Sequence, residues 1–448
     1  MEERYQDLID EGSDLIVDRL FEDADWLERE HARQLDARIF ELMMLMGLAV
    51  LEKLLKRFAA RQLEACRQEG MHVAKSTDPI EVGTRLGTVQ LPSPYMRNPH
   101  TGETARPMKD RFGLVGRGKT PALERALADF GSEQSYSQAE QRFEEHYGFS
   151  VGRTSILRVT RQVGKQAVEY VDEKLNAESS RPIAEDHHIE ELMVQLDGCL
   201  IRTGQYMTAM QAGRVGEDGY EADDRVRVDE WKEVRVGLAR VRGDETKQYV
   251  ARIGDYETIC EQLRQLATAK GMGLETVVIS PGDGGNGLKE ALEEAFPDVD
   301  FQFILDVSHL KDHLYETAEA LEIDPKLRKR WVQPLLDQIW QGEVDEVVGR
   351  LEQLEDQTGH DRLDRLIQYL ERFSDSVDYG AYEAAGWPTG SGEVESAHKY
   401  LPQDRLKLPG ACWKVENINP MLAIRVIKKN GWWDDFWSWR HHLQADAA

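Results

Sequence analysis

Cysteine is scarce in this chain, and long hydrophobic runs are absent from it. The 448 residues include four widely scattered cysteines, none of which forms a C-x-x-C pair: Cys66, Cys199, Cys260 and Cys412. Zinc sites and disulfide frameworks need closely spaced or paired cysteines, so this scatter argues against both and is typical of a reducing compartment. We expect four core thiols and no zinc.

No apolar run approaches the roughly 18 residues that a membrane-spanning helix requires. The N-terminal stretch is acidic and lacks the short hydrophobic segment of a secretory signal peptide. Together these two features predict a cytoplasmic protein that makes no contact with a membrane.

Positive charge is also in short supply, because 56 lysines and arginines face 82 aspartates and glutamates, a formal net charge of −26. At face value this argues against nucleic acid, whose phosphates are bound by Lys and Arg. The basic residues are concentrated, however, in three segments: 97–119, 150–166 and 399–429. Each segment is either a solvated helix face or a DNA contact, and composition alone leaves both interpretations open.

The periodicity of apolar residues changes along the chain. Residues 1–75 and 120–175 have the period of helices, and a Pro/Gly-rich stretch with short strand-like pieces separates them. After a polar linker at 176–191, the pattern predicts three strands, then helix, strand, helix and strand, which describes a mixed α/β sheet. Residues 311–385 are predicted to be helical throughout.

Two Asp-Gly pairs end predicted strands of this sheet: Asp197 in "QLDG" and Asp283 in "SPGDGG". Taken singly, an Asp-Gly pair is most often a plain turn. Two of them beyond the strand ends of one sheet, joined by a glutamate from a later helix, supply the hard oxygen ligands that Mg²⁺ or Mn²⁺ takes. Two such ions about 3.5–4 Å apart would serve a phosphodiester displacement.

The residues alone do not decide which glutamate joins the aspartates. The stretch "GSGEVESAHK" contains Glu393 and Glu395 behind a Gly-Ser-Gly turn, and Ser391 is placed to cap the helix that follows. Helix positions two apart point about 200° from each other, so one site takes only one of the two. Helical spacing puts Glu395 on the side of His398 and leaves Glu393 on another face.

Together the motifs resemble the DDE transposases of prokaryotic insertion sequences, in particular the Kra-type group and its Lre-type relatives. Five segments carry the resemblance, which covers about 185–440: "QLDG" (195–198), "SPGDGG" (280–285), "FILDVSHLKDHL" (303–314), "GSGEVESAHKYLPQDRLKLPGACW" (390–413) and "LAIRVIKKNGWWDDFW" (422–437). The fourth segment is long enough to be specific, whereas isolated Asp-Gly pairs are not. The resemblance implies a mixed-sheet, RNase H-like α/β core with a helical insertion before the glutamate.

In that family three carboxylates bind the metal ions and carry catalysis, and the matching residues here are Asp197, Asp283 and Glu395. The resemblance thus selects Glu395, the glutamate directly before Ser, and implies two ions of Mg²⁺ or Mn²⁺. Glu393 falls at a variable position, where its charge suits the start of a helix. We expect the three carboxylates to lie close enough to share ions while Glu393 points elsewhere.

Four further residues take roles from the resemblance. Asp306 and His309 match a D-x-x-H motif after the last strand and would support the metal site or the bound strand. The alternative for this pair is a structural carboxylate–imidazole contact. Arg405 and Lys407, in "QDRLKLPG", match a basic pair after the glutamate helix and would contact DNA, the alternative being an exposed basic turn.

A helix-turn-helix is predicted upstream, over 135–164. Arg153, Thr154 and Arg158 lie near the start of its second helix, where a recognition helix meets DNA. An αα-hairpin with no DNA role is the alternative. The family often has a cysteine-rich zinc knuckle in the segment corresponding to 93–114, and because those cysteines are absent here we expect no zinc in that segment.

These predictions divide the chain into an N-terminal helical region (1–89), a DNA-binding region (90–180) and an RNase H-like catalytic domain (186–448) with its insertion at about 311–385. The resemblance implies a homo-oligomeric transposase that binds terminal inverted repeats and target DNA, and that cuts and transfers strands at the nucleoid. Two alternatives stay open: a catalytically inactive or domesticated DNA-binding protein, and an RNase H-like nuclease without strand transfer.

Overall fold

The structure, a computed structural model, describes residues 5–22, 33–75, 79–92, 94–108, 118–179, 189–285 and 287–446. Helices hold 58% of the residues and strands 18%, and the main sheet is mixed, which agrees with the predicted α/β class. Most of the linker predicted at 176–191, and with it the boundary between 180 and 186, lies outside the described residues. So does part of the segment in which the family has its zinc knuckle.

The chain forms two compact units, the first made of Met1–Leu127, Glu140–Gly152 and Gln444–Ala448, the second of Ala128–Ala139 and Arg153–Leu443. The first unit contains α1 (Gln6–Phe21), α2 (Leu35–Gln68), β1 (His72–Lys75), β2 (Ile80–Thr84), β3 (Gly87–Leu91), β4 (Tyr95–Arg97) and β5 (Thr104–Ala105). β2 and β3 form a hairpin, and β1, β4 and β5 form a separate small sheet. Gly70, with φ of +82°, follows the end of α2, as the sequence predicted.

A five-stranded mixed sheet lies at the centre of the second unit. Its strands are β6 (Glu191–Thr208), β7 (Arg225–Val241), β8 (Gln248–Ile253), β9 (Val277–Gly282) and β10 (Asp300–Leu305), in the spatial order β10-β9-β6-β7-β8. β6, β7 and β8 are antiparallel neighbours, whereas β9 runs parallel to β6 and to β10. The predicted succession of elements is confirmed, with α6 (Tyr256–Ala269) and α7 (Leu288–Ala295) between the later strands.

Local sequence explains these elements. α6 begins after Asp255, whose carboxylate accepts a hydrogen bond from the Thr258 amide (3.0 Å) and caps the helix. Its buried residues Ile259, Leu263 and Leu266 recur every three or four positions, so they share one face of the helix. β9 is buried on both faces, as expected of a strand covered on both sides of a sheet.

Most of the remaining chain is helical, in this order: α3 (Pro121–Glu133), α4 (Tyr136–Tyr147), α5 (Arg153–Ser179), α8 (Val307–Ala320), α9 (Pro325–Trp340), α10 (Val344–Thr358), α11 (Asp361–Arg372), α12 (Tyr379–Ala385), α13 (Gly392–His398), α14 (Asp404–Leu406), α15 (Ile418–Lys429) and α16 (Trp433–Asp446). Helices α8 to α12 fill the stretch predicted to be helical between β10 and the Gly-Ser-Gly turn. Within the described ranges, none of the helices is both long and apolar enough to cross a lipid bilayer.

β6 and β7 are longer than their apolar patterns predicted. The pattern in β6 ends near residue 202, but the ladder continues as far as the pair Thr208–Arg225. The outer part is held by ion pairs such as Arg202 with Asp229, whose nearest nitrogen and oxygen lie 2.5 Å apart. Hydrophobic periodicity carries no signal for such an extension, because the pairing there does not bury an alternating apolar face.

α5 and α15 cross closely at a glycine. A Cβ at Gly164 would lie 2.7 Å from the carbonyl oxygen of Pro420 and 2.8 Å from the Pro420 Cβ. Distances this short are not compatible with a real methyl group, so the crossing requires glycine in the middle of α5.

We predict that Gly164→Ala destabilises the protein, measured as the free energy of unfolding in urea. Alanine has a helix propensity better by about 1 kcal/mol, but its methyl would force α5 and α15 apart, which typically costs about 1–3 kcal/mol. Gly349→Ala is the matched control, because Gly349 also lies inside a helix and a Cβ there meets nothing within 4 Å. The control should be stabilised by up to about 1 kcal/mol. An equal gain in both variants would contradict the close crossing.

Candidate functional site

The sheet opens between β6 and β9 on the side where the two aspartates lie. These strands pair over only three residues, Glu191 to Met193 against Val277 to Ile279. Beyond that point β9 stays with β10, and β6 stays with β7. Parallel strands that part in this way leave a crevice beyond their carboxyl ends, which is where open α/β sheets hold their ligands.

Asp197 and Asp283 stand on either side of this crevice. Asp197 lies on β6, four residues past its last pair with β9, and Asp283 follows β9 directly. Asp197 Oδ1 accepts a hydrogen bond from the Gly198 amide (2.6 Å), and Asp283 Oδ1 accepts one from the Gly285 amide (2.9 Å). Each carboxylate is held by one oxygen and keeps lone pairs on the other for a further partner.

α13 delivers Glu395 to the same place. The buried side chain of Gln195, on β6, accepts a hydrogen bond from the Val394 amide (2.9 Å) and fixes the start of α13 against the strand. Glu395 Oε1 lies 3.4 Å from the Ser391 hydroxyl, one turn earlier. The contact that positions α13 on β6 is thus made by Gln195, two residues before Asp197.

The neighbouring glutamate has other partners. Glu393 Oε1 lies 2.7 Å from Arg240 Nη2, and Glu393 Oε2 lies 2.9 Å from Lys247 Nζ. Two cations therefore neutralise Glu393, whereas Glu395 has no ion pair with a cation in the described chain. The two glutamates point in different directions, as their spacing in a helix requires.

Asp306 is the anchor of the Gly-Ser-Gly turn. It is 3% exposed, and its Oδ2 accepts hydrogen bonds from both the amide and the hydroxyl of Ser391, each at 2.7 Å. Its Oδ1 accepts from the Ser308 amide (2.7 Å) and caps α8. Burial acts to raise the pKa of Asp306, but the hydrogen bonds from Ser391 and Ser308 outweigh it and leave the pKa below its ordinary value.

The expectation that Ser391 caps α13 is wrong. The Ser391 side chain accepts no capping bond from the helix, and its hydroxyl is turned to the buried Asp306 carboxylate, to which it donates. An ionised carboxylate is the stronger acceptor partner for a hydroxyl, and its own burial makes the bond still more favourable.

One group of side chains in the described chain has ligand atoms close enough together to hold a cation. Ligand atoms of Asp306, His309 and Glu395 lie within 4.8 Å of one another. The oxygens of Asp306 already accept three hydrogen bonds, however, so Asp306 has little capacity left for a metal ion. Asp197 and Asp283 do not belong to this group. Their charges act together with that of Glu395, and His309 also acts on Asp197, so a metal ion shared by the three carboxylates stays a prediction.

Electrostatics link the three carboxylates. Burial raises the pKa of Asp197 to about 6, and the negative charges of Asp283 and Glu395 add to this rise, while the Gly198 amide and His309 oppose it. Carboxylates that repel one another in a partly buried crevice are a fitting environment for a divalent cation, which would offset the repulsion. The donor set is made of hard oxygens, which suits Mg²⁺ or Mn²⁺.

His398 is a residue of the crevice that the sequence did not single out. It is 3% exposed, and its Nε2 lies 3.3 Å from Asp197 Oδ2 at an angle that makes no hydrogen bond. Burial lowers the pKa of His398 to about 4, so the imidazole is neutral near pH 7 and forms no salt bridge. Its spacing of three residues from Glu395 was the available signal, since it places both on one side of α13.

Four of the five residues predicted to contact DNA are exposed, and the fifth, Arg405, is buried. Arg153, Thr154 and Arg158 are exposed on the first turns of α5, and within the described chain neither arginine has an ion-pair partner. Lys407 is also exposed, and its charge acts on His398 near the crevice. These four side chains are accessible to a phosphate, and the helix-turn-helix itself stays a prediction.

Arg405 is placed differently from its partner in the predicted basic pair. It is 3% exposed, and its guanidinium lies 4.8 Å from the ring centroid of Tyr136 and 4.9 Å from that of Trp413. Its Nε donates a hydrogen bond to the Gly131 carbonyl (3.1 Å). Because the guanidinium is buried and makes its contacts inside the protein, Arg405 is not available to contact DNA. The alternative of an exposed basic turn does not fit Arg405 either.

No protein-family model matches this chain, and no curated protein matches it either. A functional conclusion therefore depends on the residues of the crevice, their geometry and their charges.

We predict that Asp197→Asn stabilises the protein when divalent cations are removed with EDTA. The pKa of Asp197 is about 6 in the fold and 3.8 ordinarily, so the folded state favours the protonated carboxyl. The free energy of unfolding is therefore highest below pH 4, and this stability is lost as pH rises through 6 and the buried carboxyl ionises. Asparagine cannot ionise, and the variant should unfold with a free energy higher by about 1–3 kcal/mol at pH 7.5. Urea denaturation at pH 7.5 and at pH 4 tests this, because the gain should shrink toward zero at the lower pH. A gain of equal size at both values would exclude ionisation as its cause.

Proposed function

We propose that this protein is a metal-dependent DNA transposase of the DDE type with an RNase H-like catalytic domain. The observation that carries the proposal is that the charges of Asp283 and Glu395 both act on Asp197, beside the crevice between β6 and β9. The strand order β10-β9-β6-β7-β8, with the first strand of the sheet at its centre, supports the assignment of the fold. The insertion of five helices between β10 and α13 supports it as well.

Asp197, Asp283 and Glu395 would hold two divalent cations, which when bound activate the attacking oxygen and stabilise the leaving oxygen of a phosphodiester. Asp306 would position Glu395, because its hydrogen bonds with Ser391 hold the turn that precedes Glu395. Lys407 is exposed near the crevice and would neutralise a phosphate of the strand that is cut.

DNA reaches the crevice, in this proposal, through contacts made elsewhere on the chain. The exposed arginines at the start of α5 would bind the terminal inverted repeat through its phosphates and groove. Because two ends of an element must be brought together, the working form would be a homo-oligomer. The nuclease alternative differs only in the second step, since a nuclease cuts but does not join.

We predict that Asp197→Asn, Asp283→Asn and Glu395→Gln each abolish cleavage and strand transfer. Each change removes a charge and nearly preserves shape, and two-metal chemistry needs ionised oxygen ligands. The assay follows a labelled terminal-repeat duplex with Mg²⁺ or Mn²⁺, with and without EDTA. Glu393→Gln is the control and should stay active, because Glu393 is paired with Arg240 and Lys247 outside the crevice.

Several outcomes of that assay separate the alternatives. Cleavage that persists in EDTA, or an active Asp283→Asn variant, would overturn the metal mechanism. A wild type that binds the repeat but never cuts it would favour a domesticated DNA-binding protein. Cutting without joining of the freed 3′-hydroxyl to target DNA would favour the nuclease.

We predict that Arg153→Ala and Arg158→Ala weaken binding to terminal-repeat DNA without unfolding the protein. Each lost phosphate contact should reduce the slope of log affinity against log salt by roughly one unit. A mobility-shift titration at several salt concentrations measures this slope. Arg330→Ala is the matched control, because Arg330 is an exposed arginine of α9, and its loss should leave affinity and slope unchanged. If Arg153→Ala and Arg158→Ala behave like the control, the start of α5 is no DNA contact.

A further inference from the structure

A pocket of about 310 Å³ lies in the second unit, at the place where two basic segments of the sequence meet. Segment 150–166 contributes Leu157 and Arg161 from α5, and segment 399–429 contributes Trp413 and Lys414 from the loop before α15. The fold therefore gathers positive charge from two segments about 250 residues apart around one concave surface.

The lining has the character of a site for a flat, anionic group. Apolar and aromatic side chains form most of it, among them Leu157, Trp413 and Met421. No carboxylate lines it in the described chain, although Lys414 Nζ lies 3.9 Å from Glu416 Oε1. Arg161 Nε donates a hydrogen bond to Asn417 Oδ1 (2.7 Å), which holds the guanidinium in place. The two terminal nitrogens of Arg161 have no partner among the described residues, so they are free to bind an anion.

The aromatic walls are fixed before any ligand arrives. The Arg405 guanidinium lies between the rings of Tyr136 and Trp413. Trp413 Nε1 donates to the Leu406 carbonyl (3.1 Å), and the Trp413 amide donates to the Arg202 carbonyl on β6 (3.0 Å). A pocket whose walls are held in this way costs little ordering when it is filled.

We propose that this pocket holds one unstacked nucleotide of a DNA strand, with the base on the face of Trp413 that Arg405 leaves open and a phosphate on Arg161 and Lys414. The inference rests on the proposed function, which supplies the DNA. Stacking of a base on an aromatic side chain is sequence-tolerant, since every base has a π-face, and it strengthens binding by roughly fivefold to a hundredfold per base. A free nucleotide has the same chemistry, but it lacks the flanking phosphates that the surrounding basic residues would bind.

The test measures base-dependent affinity in EDTA, so neither cleavage nor a terminal repeat is needed. A labelled oligothymidylate and an abasic strand of equal length and charge are titrated with the full chain by fluorescence anisotropy. Wild type should bind the oligothymidylate about fivefold or more tightly than the abasic strand. Arg161→Gln should weaken both strands, because it removes a contact to phosphate.

Filling the pocket should remove the preference for bases. Ala411→Trp and Leu157→Trp each add bulk at a lining residue, and both should bind the two strands equally. Leu327→Trp is the matched control, because Leu327 is 52% exposed on α9, outside the lining, and the preference should persist. Circular dichroism checks that the variants fold. If one of the two filling variants does not fold, the other still tests the pocket.

The outcomes separate this inference from the proposed function. Equal binding of the two strands by wild type, or a preference that survives both filling variants, would overturn the pocket assignment. Deoxythymidine monophosphate that competes as well as the oligothymidylate would assign a free nucleotide and overturn the DNA strand as occupant. Glu395→Gln should keep the preference for bases, so failure of catalysis leaves this result unaffected.

Discussion

A buried carboxylate, Asp306, holds together the elements that carry the candidate site. Its amide donates to the Gly282 carbonyl at the end of β9 (2.8 Å), and its side chain accepts two hydrogen bonds from Ser391 before α13. Asp283 follows Gly282 directly, and Glu395 lies one turn after Ser391. The positions of two proposed metal ligands thus depend on one residue, Asp283 through its amide and Glu395 through its carboxylate. The hydrogen bonds make burial of that carboxylate tolerable, since an unpaired buried charge is strongly destabilising.

Periodicity and spacing predicted the parts of the fold that depend on local sequence. The mixed sheet, its two helices and the position of Asp283 directly after β9 were readable, because apolar alternation and turn residues are local signals. The prediction that Asp197 ends its strand is wrong, because β6 continues beyond it to Thr208. Contacts between distant segments were not. The Asp306–Ser391 bond joins residues 85 apart, and the burial of Arg405 between two aromatic rings brings residues 131–136 against residues 405–413. His398 gave only the signal of its helical spacing from Glu395.

The acidic composition and the proposed DNA binding are compatible on physical grounds. A chain of net charge −26 repels phosphate over most of its surface. Attraction is then confined to the few places where basic residues gather, such as the start of α5 and the pocket beside Trp413. Repulsion elsewhere disfavours binding in wrong orientations, so the same acidity that lowers general affinity for DNA would sharpen its placement.

β6 runs from the crevice to the pocket as one continuous strand. Asp197 and Thr203 lie on it six residues apart, about 20 Å along the strand, and an even spacing points both side chains to the same face. Thr203 pairs with Trp413, so the pocket wall is tied to that strand. A DNA strand that occupied both places would span the fixed distance between them along β6. The number of nucleotides between the cut and the captured base would then be constant. The interval could not be tuned by single insertions, because one added residue would turn every later side chain to the opposite face of the sheet.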